Sequence, residues 1–446
     1  MSTTVSLIET VTRGCMPAKY VQQDVRAGNK SLIFTLMFPN EQYSRADISR
    51  MTGLSRVSAS SVISQMIDAH MVREVGVMSR VGRGKRATSV SVDGDYWRII
   101  TLDISSAKTF SAALTTLKAE VLDHMSIENP EVKKAPVHGQ AETHEEAETH
   151  EQTQTDTVQQ GNGTAQQGNN ALKQSNDTAQ QDNDKQQSSS AYASFEAIST
   201  LVSRLMQHNP SAHILGISVS CSGAIDHGGN VIRSTSLGWF HFPLATLLSD
   251  RFQLPVCVEN DAHLALLAER YLGSGTQNFL LVRMHRGVGA AIMIDDQLIT
   301  GPTGAAGEIG HVVVQPGGKR CVCGKRGCLE TVVSVPTMRK IITSNPTARE
   351  KVYQQAGDWL GMALALPVNL LELNDIVIDG PEDVISDEFL ASVADALTKH
   401  VDSDFLSKPH LRRCELGENA VLKGAAIKLV RTIVEQKTAE SEEQEK

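Results

Sequence analysis

One histidine and three cysteines form the pattern with the clearest chemistry in this sequence. They follow the spacing H-x9-C-x-C-x4-C and are His311, Cys321, Cys323 and Cys328. An imidazole and three thiolates make up the closed tetrahedral ligand set of a structural zinc ion. A disulfide is the alternative, although three cysteines cannot pair evenly. The spacing therefore predicts a structural Zn²⁺ site.

The bulk properties of the chain set the context for this site. Its 446 residues are enough for two or three domains. No apolar run approaches about 20 residues, the length that spans a membrane, and the N-terminus lacks the pattern of a secretory signal. We therefore expect a cytoplasmic protein without membrane insertion, where clustered cysteines indicate metal more often than disulfides. The other four cysteines are isolated, and we expect buried packing roles for Cys15, Cys221, Cys257 and Cys414.

Charge is distributed unevenly along the chain. The first 90 residues contain 12 Lys and Arg against 6 Asp and Glu, a net of +6, whereas the whole chain carries −9. A basic segment joined to an acidic body is typical of a polyanion-binding module attached to another domain. Chance clustering of the basic residues is the alternative. The pattern of helices and strands within the segment has to distinguish a polyanion-binding module from such chance.

Residues 25–95 have the pattern of a winged helix-turn-helix, a small α+β module. Ser44 can cap a short helix, and Gly53 makes a tight turn before Ser55 caps a second helix. We expect the second helix to bury its apolar side chains, which are Val57, Val62, Ile63, Met66 and Ile67. Its small polar face would enter the major groove of double-stranded DNA and consists of Ser55, Arg56, Ser58, Ser60 and Ser61.

A basic hairpin follows the second helix. Two strand patterns flank a tip with two glycines and three cations, which are Arg83, Lys85 and Arg86. Cations on such a wing can enter the minor groove beside the helix. Because similar helices and hairpins also occur in structural scaffolds, the DNA-binding interpretation depends on the combination of helix order, wing and positive charge.

The rest of the chain alternates strand and helix patterns, which favours an α/β architecture. Strand patterns cover residues 97–105, 108–116, 213–226, 255–261 and 278–284, and helix patterns cover 193–207 and 262–272. Residues 130–190 differ, because they contain two copies of AETHE, two of TAQQ and almost no apolar side chains. Such a segment cannot bury enough apolar surface to fold, so we predict a disordered insertion.

Two further motifs accompany the histidine and the cysteines. E-x-G-H at residues 308–311 is followed by C-x-C-G-x-x-G-C-x-E at 321–330, and ENDAHLALLAE lies upstream at 259–269. Together they resemble the signature of the ROK family of repressors, open reading frames and kinases, with two leucines as departures in the upstream segment. The resemblance extends from residue 97 to 440 outside the insertion and implies an actin-like, two-lobed sugar kinase fold. With a winged helix-turn-helix in front, the chain resembles the repressor branch, which includes xylose and N-acetylglucosamine repressors.

The resemblance implies a sugar site formed by Gly223, Ser236, Asn260, Asp261, Glu308, His311 and Glu330. Carboxylates and an amide suit this role because they share hydrogen bonds with the hydroxyl groups of a pyranose ring. His311 would bind zinc through one ring nitrogen and face the sugar with the other. Ser236 departs from the family, which commonly has asparagine there. A single acid would more simply be a solvated surface charge, but these positions match the family spacing together.

The same resemblance allows the nucleotide loops of a kinase to be compared. Asp261 matches the family's general base, but the first phosphate loop, D-x-G-G-T in the family, reads DISSAK from Asp103. The second loop, T-G-V-G in the family, reads RGVG at 286–289, and the glycine-rich adenosine loop resembles IDGPED at 378–383. Side chains that replace glycines in the first and third loops obstruct the close backbone approach that phosphates require, whereas the second loop keeps its glycines but loses its threonine. We therefore predict sugar binding without phosphorylation, with no catalytic residue and with Asp261 as a vestigial base.

These observations lead to three hypotheses about function. The first is a sugar-responsive transcriptional repressor of carbohydrate uptake or catabolism genes. It would be a homodimer or homotetramer, associated with the nucleoid while bound, and a sugar or sugar phosphate would release it from its DNA operator. The second is an ATP-dependent sugar kinase with an added DNA-binding head, and the third is a sugar-sensing scaffold whose insertion recruits a protein partner. The corresponding boundaries are 1–24 for a tail, 25–95 for the DNA-binding module, 96–129 and 191–440 for the ROK domain, and 130–190 for the insertion.

Overall fold

The computed structural model describes residues 18–77, 88–133, 189–401 and 408–435. These residues form an N-terminal unit of helices and a small sheet, followed by two lobes that are each built on a five-stranded sheet. Within these ranges, no helix combines the length and the apolar character that a membrane span requires.

The N-terminal unit contains three helices and a three-stranded antiparallel sheet. The helices are α1 (Ala18–Met37), α2 (Arg45–Thr52) and α3 (Arg56–Asp68), and the strands are β1 (Tyr43–Ser44), β2 (Val72–Val77) and β3 (Thr88–Val92), in the order β1-β3-β2. Helix α1 begins inside the segment that the sequence predicted as a tail. The three predicted wing cations, Arg83, Lys85 and Arg86, lie outside the described residues.

Side-chain caps start α2 and α3, as the sequence predicted. Ser44 Oγ accepts a hydrogen bond from the Asp47 backbone N–H at 3.2 Å, and Ser55 Oγ accepts one from the Ser58 N–H at 3.1 Å. Gly53 ends α2 with a φ of 72°, a left-handed conformation that glycine adopts without steric cost. Only three residues therefore separate the two helices.

The buried face of α3 differs from the prediction at Val57. Ala59, Val62, Ile63 and Met66 are buried, whereas Val57 is 80% exposed. Because an α-helix turns by about 100° per residue, Val57 points about 200° away from Ala59 and so to the opposite side. The prediction that Val57 is buried was wrong, and its side chain belongs to the exposed face of the helix.

Aromatic side chains join the N-terminal unit to the body. Tyr96 stacks between His70 of the unit and His213 of the first lobe, with ring centroids at 3.8 Å and 4.3 Å. Phe38, which follows α1, packs edge-on against Tyr271 of the body with a centroid distance of 5.9 Å. The unit therefore packs directly on the body through these aromatic contacts.

The first lobe is built on a sheet of order β11-β7-β4-β5-β6. Its strands are β4 (Trp97–Asp103), β5 (Thr109–Thr116), β6 (Val121–Glu128), β7 (His213–Cys221) and β11 (Val256–Asn260). A small antiparallel sheet of β8 (Ala224–Ile225), β9 (Val231–Ser234) and β10 (Trp239–Phe242) and the helices α4 (189–208) and α5 (Leu244–Phe252) complete the lobe. Because β4, β7 and β11 run parallel, their carboxyl ends meet at one edge.

The predicted insertion lies between the two parts of this lobe. Its first residues form a short 3-10 turn, Pro130–Lys133, and its last two residues belong to α4. Residues 134–188, which make up the rest of the predicted insertion, lie outside the described residues.

The second lobe is built on a sheet of order β14-β13-β12-β15-β16. Its strands are β12 (Phe279–Met284), β13 (Val288–Ile294), β14 (Gln297–Leu298), β15 (Asp375–Asp379) and β16 (His410–Arg413). Its helices are α7 (Glu330–Val333), α8 (Val335–Ser344), α9 (Arg349–Leu371) and α10 (Asp387–His400). Two further helices, α6 (Asp261–Leu272) and α11 (Ala420–Glu435), contact each other and lie between the two sheets.

The central strands of the second lobe are buried along their whole length. Every residue of β12 and of β15 is buried, as expected for strands that are covered on both faces. Arg283 in β12 and Asp375 and Asp379 in β15 are charged exceptions to this apolar pattern. Because a buried charge is costly unless it is paired, these residues require partners.

Candidate functional site

The four predicted metal ligands come together in one cluster. Their donor atoms all lie within 4.8 Å of one another. Cys323 Sγ is 3.6 Å from Cys328 Sγ, and Cys321 Sγ is 3.5 Å from His311 Nδ1. Tetrahedral zinc, with Zn–S near about 2.3 Å and Zn–N near about 2.0 Å, separates two sulfurs by about 3.8 Å and a sulfur from a nitrogen by about 3.5 Å. The donor set therefore fits a zinc ion.

A glycine-dependent loop holds these ligands. Bridges between Val313 and Cys328 and between Arg320 and Arg326 close the loop on itself. Gly327 has a φ of 78°, and a Cβ at this position would lie 1.6 Å from the Gln315 carbonyl oxygen. Glycine is thus required here for both backbone conformation and space.

The three thiols differ in their acidity. Burial raises the pKa of Cys321, and its thiol donates to Glu330 Oε1 at 2.8 Å, which raises the pKa further. Burial also acts to raise the pKa of Cys323, but the Lys325 backbone N–H and the neighbouring thiols stabilise its thiolate, and the pKa is lowered. One ligand is therefore prepared for a metal, and the binding of a metal would release protons from the others.

Two carboxylates flank the histidine of the cluster. His311 Nδ1 faces the cysteines and lies 3.5 Å from Glu330 Oε1, whereas Nε2 points the other way, 3.7 Å from Glu308 Oε2. Burial raises the pKa of Glu308, and the charge of Asp261 adds to the increase. The two ring nitrogens thus face different partners. We call Glu308, His311, Glu330 and the three cysteines the metal-side wall.

The amide of Asn260 organises the opposite side of the cleft. Its Oδ1 accepts hydrogen bonds from the backbone N–H groups of Ala262 and His263, so it caps α6, and its Nδ2 donates to the Gly223 carbonyl at 2.9 Å. Gly223 has a φ of 99°, and a Cβ there would lie 2.1 Å from the Arg233 carbonyl oxygen. The start of α6 is therefore fixed to the turn that follows β7.

Ser236 lies in the turn between β9 and β10 and forms a group of three hydroxyls with Ser222, which follows β7, and Ser234, which ends β9. Its Oγ hydrogen bonds to Ser222 Oγ and lies 3.3 Å from Ser234 Oγ. The three serines hydrogen bond mainly to one another, so Ser236 is oriented by its neighbours.

Asp261 is paired with an arginine that the sequence analysis missed. Arg283 Nε donates to Asp261 Oδ2 at 2.9 Å, and Arg283 Nη1 donates to Asp379 Oδ2. The side chain of Arg283 is only 11% exposed. Burial alone would lower the pKa of Arg283, but surrounding carboxylates raise it. In decreasing order of effect these carboxylates belong to Asp379, Asp261 and Asp103.

The carboxylates around Arg283 come from different elements. Asp103 ends β4 and accepts a hydrogen bond from the Ser105 N–H at 3.0 Å, Asp261 begins α6, and Asp379 ends β15. His285 Nε2 lies 3.4 Å from Asp379 Oδ2 and is an additional neighbour. A signal was present in the sequence, since Arg283 is the one charged residue in the strand FLLVRM. We call Asp103, Asp261, Arg283 and Asp379 the charged floor.

A second buried ion pair supports the start of α6. Glu259 accepts a hydrogen bond from Lys428 Nζ of α11 at 2.8 Å, and its other oxygen lies 2.9 Å from His263 Nδ1. Burial would raise the pKa of Glu259, but these two partners lower it to about 2. The ion pair connects α11 to the strand and helix that carry the predicted sugar-site residues.

The predicted DNA-contacting residues that the structure describes belong to the N-cap and the first two turns of α3. Ser55, Arg56, Ser58 and Ser61 are exposed, and Ser60 is partly buried. Arg45 of α2 donates to the Ser60 carbonyl at 3.1 Å and to Ser64 Oγ at 3.0 Å, which holds α2 against α3. Hydrogen bonds from α2 therefore support the first turns of α3.

Comparison with known proteins gives two kinds of relative. Over 434 residues the chain is 22% identical to the DNA-binding transcriptional repressor Mlc of Escherichia coli, a match that covers 90% of this chain and 93% of the repressor. It is 37% identical to a glucokinase of Halalkalibacterium halodurans over 171 residues, which are 37% of this chain and 52% of the glucokinase. The glucokinase match thus spans about half of that enzyme.

A solved structure and a family model extend the comparison. The crystal structure of a ROK family transcriptional regulator, a homologue of the Escherichia coli MLC protein, superposes with a TM-score of 0.69 at 20% sequence identity, and the match covers 92% of this chain and 97% of the other. The ROK family model matches residues 169–432, which is more than half of the chain. The family predicted from the motifs is confirmed, and the chain belongs to the ROK family.

Proposed function

We propose that this protein is a sugar-responsive transcriptional regulator that represses genes of carbohydrate uptake or catabolism. The observation that carries the proposal is the ion pair between Asp261 and Arg283. The carboxylate of Asp261, which would serve as the general base of a kinase, is held in a largely buried ion pair with Arg283. A site of this kind can bind a sugar without activating its hydroxyl group.

The comparisons support the same proposal. The similarity to the repressor Mlc extends over 90% of the chain and includes the residues in front of the two lobes, whereas the similarity to the glucokinase is limited to 171 residues. An N-terminal unit that precedes a ROK domain is therefore a feature shared with a DNA-binding relative. We take the unit to be a winged helix-turn-helix over residues 25–95.

In this proposal, α3 enters the major groove of the operator. Arg56 can donate two hydrogen bonds to a guanine edge, and the hydroxyls of Ser55, Ser58, Ser60 and Ser61 contact bases or phosphates. The exposed Val57 adds an apolar contact that suits the methyl group of thymine. The wing cations Arg83, Lys85 and Arg86 would contact the adjacent minor groove.

The effector in this proposal is a sugar or sugar phosphate bound between the metal-side wall and the charged floor. Glu308, His311 and Glu330 would contact hydroxyls from one side, and Asn260 and Asp261 would contact them from the other. Gly223 and Ser236 would line the same cleft from the turns of the first lobe. A zinc ion on His311, Cys321, Cys323 and Cys328 would have a structural role, because it fixes His311 Nδ1 and leaves Nε2 free to face the sugar.

Release from DNA would follow from movement of the lobes. A sugar that contacts both sides of the cleft favours the closed arrangement of the lobes, and the N-terminal unit packs on the body through Tyr96 and Phe38. In a homodimer or homotetramer, a small rotation of each unit would alter the spacing of the two recognition helices relative to the operator half-sites.

The proposal is tested by selection of genomic DNA fragments with the purified, zinc-loaded protein, repeated in the presence of a panel of sugars and sugar phosphates. We expect enrichment of a palindromic fragment that one sugar abolishes. Failure to enrich any fragment at moderate salt would contradict DNA binding.

A sugar kinase with an added DNA-binding head is the second candidate function. It is favoured by the presence of Asp261 at the start of α6 and by the similarity to a glucokinase. Phosphorylation of any hexose in the panel in the presence of ATP and Mg²⁺, abolished by Asp261→Asn, would replace the first proposal with the second.

A further inference from the structure

Sugar binding alone does not explain why the charged floor contains an arginine. One guanidinium lies among three carboxylates, and the carboxylates reach it from both lobes. Arg283 and Asp379 are paired in register on adjacent parallel strands, so their side chains lie on the same face of the sheet. The position of Arg283 is thus determined by the strand pairing itself.

Phosphoryl transfer from a nucleotide requires a divalent cation that bridges the phosphates and is held by carboxylate oxygens. Here the side chain of Arg283 already pairs with two of the carboxylates that such a cation could use, those of Asp261 and Asp379. Burial acts to raise the pKa of Asp379, but Arg283 and His285 stabilise the carboxylate and hold its pKa below the usual range. The carboxylate of Asp379 is therefore ionised and paired with Arg283 without any added cation.

We infer that Arg283 is a specificity-determining residue, an internal cation that makes the cleft accept a sugar and exclude a metal-bound nucleotide. The inference deepens the proposed function, because it assigns a residue to the difference between a sugar sensor and a sugar kinase. Arg283 also holds one oxygen of Asp261, so that the other oxygen is presented as a fixed acceptor for a sugar hydroxyl.

The test measures Mn²⁺ binding to the full-length, zinc-loaded chain by isothermal titration calorimetry. Wild type is expected to show no Mn²⁺ binding in the cleft. Arg283→Met removes the positive charge and leaves three carboxylates, so we expect Mn²⁺ affinity to rise about tenfold or more. Arg283→Lys keeps the charge and should behave as wild type. The double variant Arg283→Met/Asp261→Asn should lose most of the gain, which would locate the ion at the floor.

Arg412 provides a matched control for the loss of a buried arginine. It lies on β16 of the same sheet, its side chain is 15% exposed, and it pairs with Glu269 and Asp375. Arg412→Met should leave the affinity for a hexose that binds wild type unchanged, whereas Arg283→Met should weaken it. If Arg283→Met does not fold, Arg283→Gln, whose amide can still donate to Asp379, replaces it.

Two results would overturn the inference. The first is a folded Arg283→Met or Arg283→Gln protein with no gain in Mn²⁺ affinity. The second is failure of both variants to fold while Arg412→Met folds normally, since Arg283 would then be structural. The Mn²⁺ measurement needs neither sugar nor DNA, so a protein that binds no sugar and no operator would contradict the proposed function and leave this test intact.

Discussion

The metal-side wall and the charged floor are close enough for Glu308 and Asp261 to interact electrostatically, but they are held in different ways. The wall is local in sequence, because all its residues lie within 308–330, and the donor atoms of its histidine and three cysteines are close enough to share one metal ion. The floor is assembled from distant parts of the chain, and its hydrogen bond between Arg283 and Asp379 joins residues 96 positions apart. The wall is therefore set by one short segment that could hold a metal ion, whereas the floor depends on the relative placement of two lobes.

The two sides also differ in what they offer a ligand. At the wall, His311 Nδ1 lies near Cys321 and Nε2 lies near Glu308, so a metal ion on Nδ1 would leave Nε2 available to a ligand. At the floor, charges are paired inward, and Asp261 is a hydrogen-bond acceptor in an ion pair. In the proposed function, the wall therefore supplies specificity for hydroxyl groups, and the floor excludes a metal-bound nucleotide.

Cys323→Ser should have the largest effect, because it removes a ligand from the wall. Changes to residues that only support metal ligands cost about 10-fold to 100-fold in affinity, so we expect the loss of a ligand to cost more than about 100-fold. The measurement is zinc content after dialysis against a weak chelator. Cys257→Ser is the control, because Cys257 is a buried thiol near Thr432 and outside the cluster. Retention of zinc by Cys323→Ser would contradict the ligand set.

Glu259→Gln should weaken the support of the floor by removing a buried charge from Lys428 and His263. We expect a loss of about 3 kcal/mol in the free energy of unfolding at pH 7, as for other broken buried ion pairs. The pKa of Glu259 is lowered to about 2, so its stabilisation is fully present above about 4.5 and is lost as the pH falls toward 2. Urea unfolding at several pH values should show that the difference in the free energy of unfolding between wild type and variant becomes smaller over this pH range. A difference that stays constant would contradict the ion pair.

Gly327→Ala and Gly324→Ala form a matched pair that separates steric space from backbone conformation at the wall. Both glycines have positive φ, but a Cβ at Gly324 would meet no atom within 4 Å, whereas one at Gly327 would lie 1.6 Å from the Gln315 carbonyl oxygen. Gly324→Ala should cost about 1 kcal/mol in the free energy of unfolding. Gly327→Ala should cost more and should also lower zinc affinity. If chelator competition gave the same zinc affinity for both variants, the loop would be able to shift its backbone to make room for the Cβ at position 327.

His285→Ala should have the smallest effect, although His285 touches the floor. Its side chain is 41% exposed, and its contact with Asp379 is 3.4 Å long. We expect a change within about 1 kcal/mol in the free energy of unfolding, as for other partly exposed pairs. A loss as large as that of Arg283→Met in thermal unfolding would mean that the floor depends on the histidine as well as on the arginine.

The features that could be predicted from the sequence are those set by short separations along the chain. The caps of α2 and α3 involve residues three positions apart, and the metal ligands lie in one loop, so spacing alone carries the information. The sugar-site positions could be named because the family signature surrounds them. Their mutual geometry could not, because it depends on how the lobes pack.

The errors and omissions have equally specific causes. Val57 was assigned to the wrong side of α3 because an apolar residue in the first turn was counted with the core, although its helical phase opposes Ala59. Arg283 was overlooked because its partners are brought to it only by the pairing of β12 with β15 and by the position of α6. A single charge in an otherwise apolar strand was the signal that should have prompted a search for partners.

The stacking of Tyr96 between His70 and His213 has a mechanical consequence. Only residues 93–96 separate β3 from β4, and four residues span at most about 14 Å. Because this connection is short, the N-terminal unit cannot rotate independently of the first lobe. A rotation of the first lobe would therefore turn the N-terminal unit with it. The distance from residues 93–96 to the far end of α3 would set how far this helix moves. Lengthening this connection with glycines should uncouple the two movements while leaving each part folded.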